Sequence, residues 1–388
     1  MSRHFSIPTV LRMVPNTLLR KFLTQLPHSC DGIDWDHMGE RQAESLVHLL
    51  RTWPADAREF VEGVLRNVFE LACESGHQAL REAAVELHQQ SHVLLAMSQG
   101  SLYQRAMWAW LEAPEVFEAA LAYYQIEHRH GWRKRDDLPR VTPHTDRHAL
   151  ECLGKDISLL LLSEQGRGQH CTVEYFQREN GIDYFCCYPD DFVQTVSLHD
   201  DGGQLTTRSV RQTFEIMFAY HQPTGTLETS AALPPHMKGP LEESFAWMIL
   251  DTGIGPRVPR QVYHLDRLKD RGFQLDTIPT DEVQVELKRV RLDLPGHNRR
   301  ITLESRIGES TDVLRMVDEC LNEDEVPRDR IQITSATLRF LFRRTAQRRG
   351  GSVTIDVSAP NVCNLRSQSP ERAEVVRRHL RMWRIAHD

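Results

Sequence analysis

Near residue 170 the hydrophobic period of this 388-residue chain changes from helical to alternating. Before that point apolar residues recur three and four positions apart, the spacing that buries one stripe of a helix. After it they recur at every second position, the spacing of a strand with one face in a core. Two periods held in separate blocks predict an α+β chain: an all-helical N-terminal domain followed by an antiparallel hairpin-plus-helix region, ββα-like in its grammar.

In the helical block, Phe60, Val61, Val64, Val68, Leu71 and Ala72 form one stripe after Pro54, and Gly76 is read as its stop. Leu80, Ala84 and Leu87 carry the pattern on. Ser101 is placed to cap a helix holding Tyr103, Trp108 and Trp110, and Pro114 to open one with Phe117, Leu121 and Tyr124 on a stripe. That helix ends on His128, Arg129 and His130, cations beside the negative pole, with Gly131 just after. Residues 132–139 read as an exposed connection, and Thr142 with Pro143 as the next helix start. Leu150, Leu153, Ile157, Leu160 and Leu161 are its buried stripe.

Four hairpins are expected in the second block. CTVEYFQRENGIDYFCCY turns at Asn180-Gly181, a pair that tolerates positive φ at both positions. TFEIMFAY and TLETSAAL flank residues 221–225; VQVELKRVRLDL and RRITLES flank 295–298; TLRFLFRR and SVTIDVS flank an arginine-rich loop closed by Gly350-Gly351. Helices follow the last three, the final one over 370–383. A Gly- and Pro-rich break at 251–260 divides the block, so the expected domains are 1–140, 141–255 and 256–388.

Composition narrows the class. At 40% hydrophobic and 26% charged, the chain has the make-up of a globular protein. No apolar run approaches the roughly 20 residues of a membrane helix, and the N-terminus lacks the apolar core of a signal peptide. No membrane partner and a cytoplasmic location are expected. The eight cysteines include no CxxC pair and read as free thiols. Arginine outnumbers lysine 41 to 6, which points to a bacterium with a GC-rich genome. Charge is uneven: residues 283–388 carry net +5, leaving −12 for the rest of a chain whose net charge is −7.

Chemistry-bearing residues are scattered. Asp276, Glu286 and Lys288 resemble the carboxylate–carboxylate–lysine pattern of the PD-(D/E)xK nuclease families, without the family's proline-aspartate pair. The resemblance implies two carboxylates on Mg²⁺ and a lysine that helps activate water. On VQVELK, however, Glu286 and Lys288 share the face opposite Val285 and Leu287, as on any solvated strand face. His144, His148 and Glu151 fall on one side of a predicted helix and are weak metal-ligand candidates. The stretch HSCDGIDWDH, with His28, Cys30, Asp31, Asp34, Asp36 and His37, reads as a polar loop that also holds metal-binding side-chain types. Arg299, Arg300, Arg343, Arg344, Arg348 and Arg349 crowd two hairpin tips and are candidate phosphate or nucleic-acid contacts. VYHLDRLKD resembles a segment of WYL-type ligand-sensing domains over fewer than ten residues, and nothing is carried over from it.

There is no phosphate loop, GxGxxG, GxSxG, HExxH or zinc-ribbon spacing. The expected function is therefore non-catalytic: a binding or regulatory subunit, adaptor or sensor, of a bacterial cytosolic multi-protein system. No cofactor is expected, and another protein of that system is the expected partner. The alternatives are nucleic-acid binding through the arginine tips and a metal-dependent nuclease. A role in phage defence is compatible with such a motif-poor chain.

Overall fold

The computed structural model describes the chain except for residues 1–3, 29, 31, 88–92, 94, 97–98, 130, 179–180, 201, 259, 271, 295–298, 306–312, 321–325, 345–349, 366–367 and 387–388. It has helices and two antiparallel sheets, helical first and strand-rich after, so the α+β class holds. Contacts divide it into two units: residues 1–129 with 178–180 and 193–210, and the remainder.

The first unit is built on seven described helices: α1 (Ile7–Met13), α2 (Asn16–Thr24), α3 (Glu44–Thr52), α4 (Ala55–Leu71), α5 (Glu74–Glu86), α6 (Leu102–Glu112) and α7 (Pro114–Glu127). Pro54 precedes α4 as expected, and Ser101 caps α6 by accepting from the Gln104 N–H at 3.2 Å. Leu19, Phe22, Leu65, Val68, Leu80, Met107 and Phe117 are buried in it. Gly76 does not end α4, which stops at Leu71; it lies in the first turn of α5. A Cβ there would stand 2.4 Å from the Leu71 carbonyl oxygen, so the glycine permits a close turn between two helices.

Also in this unit, the buried Arg178 guanidinium is bonded to Glu82 and, at 2.5 Å, to Glu127, and lies 5.2 Å over the Tyr123 ring. The Tyr123 hydroxyl in turn donates to Glu86. Burial raises the Glu127 pKa, against the pull of Arg178.

The first sheet, which belongs to the second unit except for residues 193–210, runs β1 (Arg133–Arg135), β6 (Thr226–Ala231), β5 (Ile216–His221), β3 (Asp183–His199), β2 (Cys171–Gln177), and β4 (Leu205–Thr213) pairs β3. The expected hairpins β2/β3 and β5/β6 are present, with Gly181 at φ 71° in the first; Asn180 lies outside the described residues. Helices α8 (Arg147–Gln165) and α9 (Pro235–Leu250) share a core with this sheet around Leu153, Ile157, Leu161, Phe185, Phe218 and Phe245. At Gly154 a Cβ would meet the Cys171 carbonyl oxygen at 2.6 Å.

Residues 133–135 are not an exposed connection. They form edge strand β1, and Arg135 is buried. Its fork binds Asp137 through two 2.7 Å hydrogen bonds, reaches Glu242 at 3.4 Å and donates to the Gly255 carbonyl at 3.0 Å. Glu242, also buried, lies 3.0 Å from Arg133. Burial raises the Glu242 pKa, while Arg135 holds Asp137 below the usual carboxylate range. An arginine with two carboxylates of its own can enter a core that an unpaired one cannot.

The second sheet runs β11 (Val362–Cys363), β10 (Gly351–Ser358), β9 (Gln332–Phe342), β7 (Val283–Leu294), β8 (Arg299–Glu304). It contains the other two expected hairpins; the turn residues 295–298 lie outside the described residues. Helices α10 (Val313–Cys320) and α11 (Pro370–Met382) contribute Val313, Val317, Val376 and Leu380 to its core beside Val290, Leu338, Phe340 and Ile355. His379 of α11 is wholly buried. Its Nδ1 faces the Val375 carbonyl at 2.8 Å and its Nε2 accepts from the Ile278 N–H at 3.2 Å. With Nε2 accepting, Nδ1 is the ring's donor toward the Val375 carbonyl. Trp383 Nε1 donates to the Asp276 carbonyl at 2.7 Å, so this end of the chain pins the connection before β7.

Candidate docking surfaces

Glu286 and Lys288 come together, but Asp276 does not join them. Lys288 Nζ stands 3.0 Å from Glu286, and Arg339, the cross-strand partner of Glu286, 3.9 Å away. Asp276 is exposed, and among the described residues its side chain bonds to neither. The strand also departs from simple alternation. Leu287 pairs with Leu338 and Arg289 with Thr337, so Lys288 is the extra residue of a β-bulge. A carboxylate with two cations beside it serves a ladder of ion pairs. Next to it Arg289 binds Thr337 and Asp356, each at 3.1 Å, and Thr337 donates to Asp356.

The arginine tips lie at opposite ends of β7. At one end the Arg343 N–H donates to the Glu282 carbonyl at 3.0 Å; at the other Arg299 pairs with Leu294 and Arg300 with Asp293. Eleven residue steps of strand separate these ends, about 35 Å, so the tips do not make one patch. Arg300 is bonded to Asp293 at 2.7 and 3.1 Å, which lowers the Asp293 pKa. Arg299, Arg343 and Arg344 are exposed, with no side-chain hydrogen bond or ion pair among the described residues. Arg348 and Arg349 lie outside the described residues.

Helix α8 begins later than expected. Asp146 is its cap, accepting from the N–H groups of His148 at 3.0 Å and Ala149 at 3.2 Å. His144 therefore precedes the helix, with its N–H on the Ile249 carbonyl at 2.8 Å. His148 faces the Cys152 thiol at 3.6 Å, and Glu151 takes Arg147 at 2.8 Å. His130 lies outside the described residues, while His128 Nδ1 faces the Tyr124 carbonyl at 2.8 Å. In the 28–37 loop Asp34 accepts from the His37 N–H at 3.2 Å and faces its ring at 2.9 Å, Asp36 lies 3.5 Å from Arg20, and His28 rests against Trp53. Asp31 lies outside the described residues. Among the described residues no three His, Cys, Asp or Glu side chains are grouped to hold a metal ion.

One surface was not anticipated. Beyond Pro189 and Cys187, its last pairings with β2 and β5, strand β3 continues to His199 beside β4 alone. The turn is closed by Asp200, whose carboxylate accepts from Gly202 at 3.0 Å and Gln204 at 2.9 Å. From Phe192 to His199 and Leu205 to Thr213, all residues are exposed except Val196, Thr206 and Val210, which are half-buried. Val193 is 53% and Leu205 68% exposed. Asp200-Asp201-Gly202-Gly203 between FVQTVSLH and QLTTRSVRQT was the available signal, since an Asp-Gly turn between runs of β-branched residues marks a hairpin.

No helix among the described residues is long and apolar enough to cross a membrane. No protein-family model matches the chain, and no curated protein sequence matches it.

Proposed function

We propose that this chain is a non-catalytic binding protein, an adaptor or regulatory component of a bacterial cytosolic assembly, and that it docks its partner on the β3/β4 ribbon. The observation that carries the reading is that ribbon, paired strand to strand and in contact with water on both faces. A two-stranded hairpin is marginal in water, and stable sheets seldom leave apolar side chains and strand edges bare together. The scatter of the carboxylates and histidines, with Asp276 apart from Glu286 and Lys288 and His144 off the helix that carries His148, supports the non-catalytic part.

Native mass spectrometry of the protein taken gently from its own host tests this. Wild type should carry a stoichiometric second protein. A variant with residues 193–210 replaced by an Asn-Gly turn should be bare yet folded. Turnover of a nucleic acid by the purified protein, abolished in Glu286→Ala, would overturn the reading.

A second reading, nucleic-acid contact, is favoured by the exposed guanidinium groups of Arg299, Arg343 and Arg344, which have no bonding partner among the described residues. It requires affinity for duplex DNA that falls steeply with salt, with a slope reduced in Arg343→Ala/Arg344→Ala.

A further inference from the structure

The ribbon's far edge states what kind of partner it suits, if the ribbon is the docking element proposed above. Among the described residues β4 has a strand on one side only, so its outward N–H and C=O groups are free to take another. It holds no proline to interrupt that ladder and no lysine. It also holds no carboxylate, and its two charges are Arg208 and Arg211, neither with a bonding partner among the described residues.

We infer that the far edge of β4 accepts an extended segment of a partner protein carrying carboxylates opposite Arg208 and Arg211. Opposite charges facing each other across a strand pair stabilise it, and like charges oppose it. A neutral strand would leave both guanidinium groups without counter-charge, and a second copy of β4 would bring four into one ladder. The edge thus selects against those occupants as much as for an acidic one. Nucleic acid fits less well, because carboxylates stand at both ends of the ribbon: Asp190 and Asp191 before it and Asp200 at its turn. Successive side chains of a strand alternate faces, so residues 208 and 211, three apart, point to opposite faces. The partner's acids must also be three residues apart. Main-chain bonds would supply affinity and the charges the choice of sequence.

The test uses the full chain and two labelled peptides, Thr-Val-Glu-Ser-Val-Glu-Thr-Val and the same sequence with lysine for glutamate, read by fluorescence anisotropy. Wild type should prefer the acidic peptide about tenfold, as two such pairs imply. Arg208→Glu/Arg211→Glu should reverse the order, and Ser209→Pro, which removes a ladder N–H, should weaken both. Equal binding of the two peptides, or a preference that survives the charge reversal, would overturn the inference. Loss of the host partner on ribbon truncation, with neither peptide bound, would overturn it while leaving the ribbon as the docking element. Binding of a duplex DNA that the double variant loses, with both peptides inert, would replace it by a nucleic-acid role.

Discussion

Nη1 of Arg178 stands 2.5 Å from Oε1 of Glu127, both side chains largely withdrawn from water. Glu82 shares the same guanidinium, so one cation serves two carboxylates. Arg178→Ala leaves both without their cation and should cost about 3–5 kcal/mol. Urea denaturation, with the midpoint and slope read separately, measures it. A loss below about 1 kcal/mol would mean that water already screens the group.

Two glycines should respond to alanine with opposite signs. At Gly154 the new methyl meets the Cys171 carbonyl oxygen at 2.6 Å, whereas at Gly63, inside α4, nothing lies within 4 Å. Gly154→Ala should lose about 1–3 kcal/mol by overpacking. Gly63→Ala should gain about 0.5–1 kcal/mol, because alanine is the better helix former. Thermal midpoints of the pair decide this.

Burial, then Arg105 and Arg81, lower the His77 pKa. The geometry agrees, since the ring Nε2 faces the Arg105 guanidinium, a donor only, at 3.1 Å. An imidazole lowered in the folded state binds fewer protons there than in the unfolded chain. Stability is then fully present above the unfolded value near pH ~6.5 and declines as pH falls through it, levelling once the folded ring also protonates. His77→Gln should flatten this part of the dependence between pH ~7 and ~5. Urea midpoints at several pH values in that window would show an unchanged slope if the idea is wrong.

His379→Phe keeps a ring in the core but removes the acceptor of the Ile278 N–H. A buried donor left unmade costs about 1–3 kcal/mol. Hydrogen exchange should accelerate at Ile278 first. Uniform acceleration through the second sheet would instead indicate a packing fault.

The hairpins of the second sheet were readable because β7 and β10 each have one buried face, and the alternation of Val283, Val285 and Leu287 or of Val353, Ile355 and Val357 records it directly. The polar members were not. Arg133, Arg135 and Arg178 look like surface residues until Glu242, Asp137, Glu82 and Glu127 arrive from distant parts of the chain. Gly76 and Gly154 look like helix breakers until the neighbouring carbonyl is seen. The ribbon escaped for the opposite reason: with both faces in water it has no period for a core to impose.

The extra residue in β7 has a counterpart. Past Arg291 the pairing jumps from Ser335 to Ile333, so Thr334 is passed over on β9 as Lys288 is on β7, and beyond it the register returns to that of the strand's beginning. The two insertions cancel. Each bulge takes up its one extra residue locally, so loss of Lys288 or of Thr334 alone would straighten its own strand and leave the other pairs in place, and loss of both would leave an uninterrupted ladder. The sheet thus holds two independent points at which a codon can be lost without turning the core side chains outward.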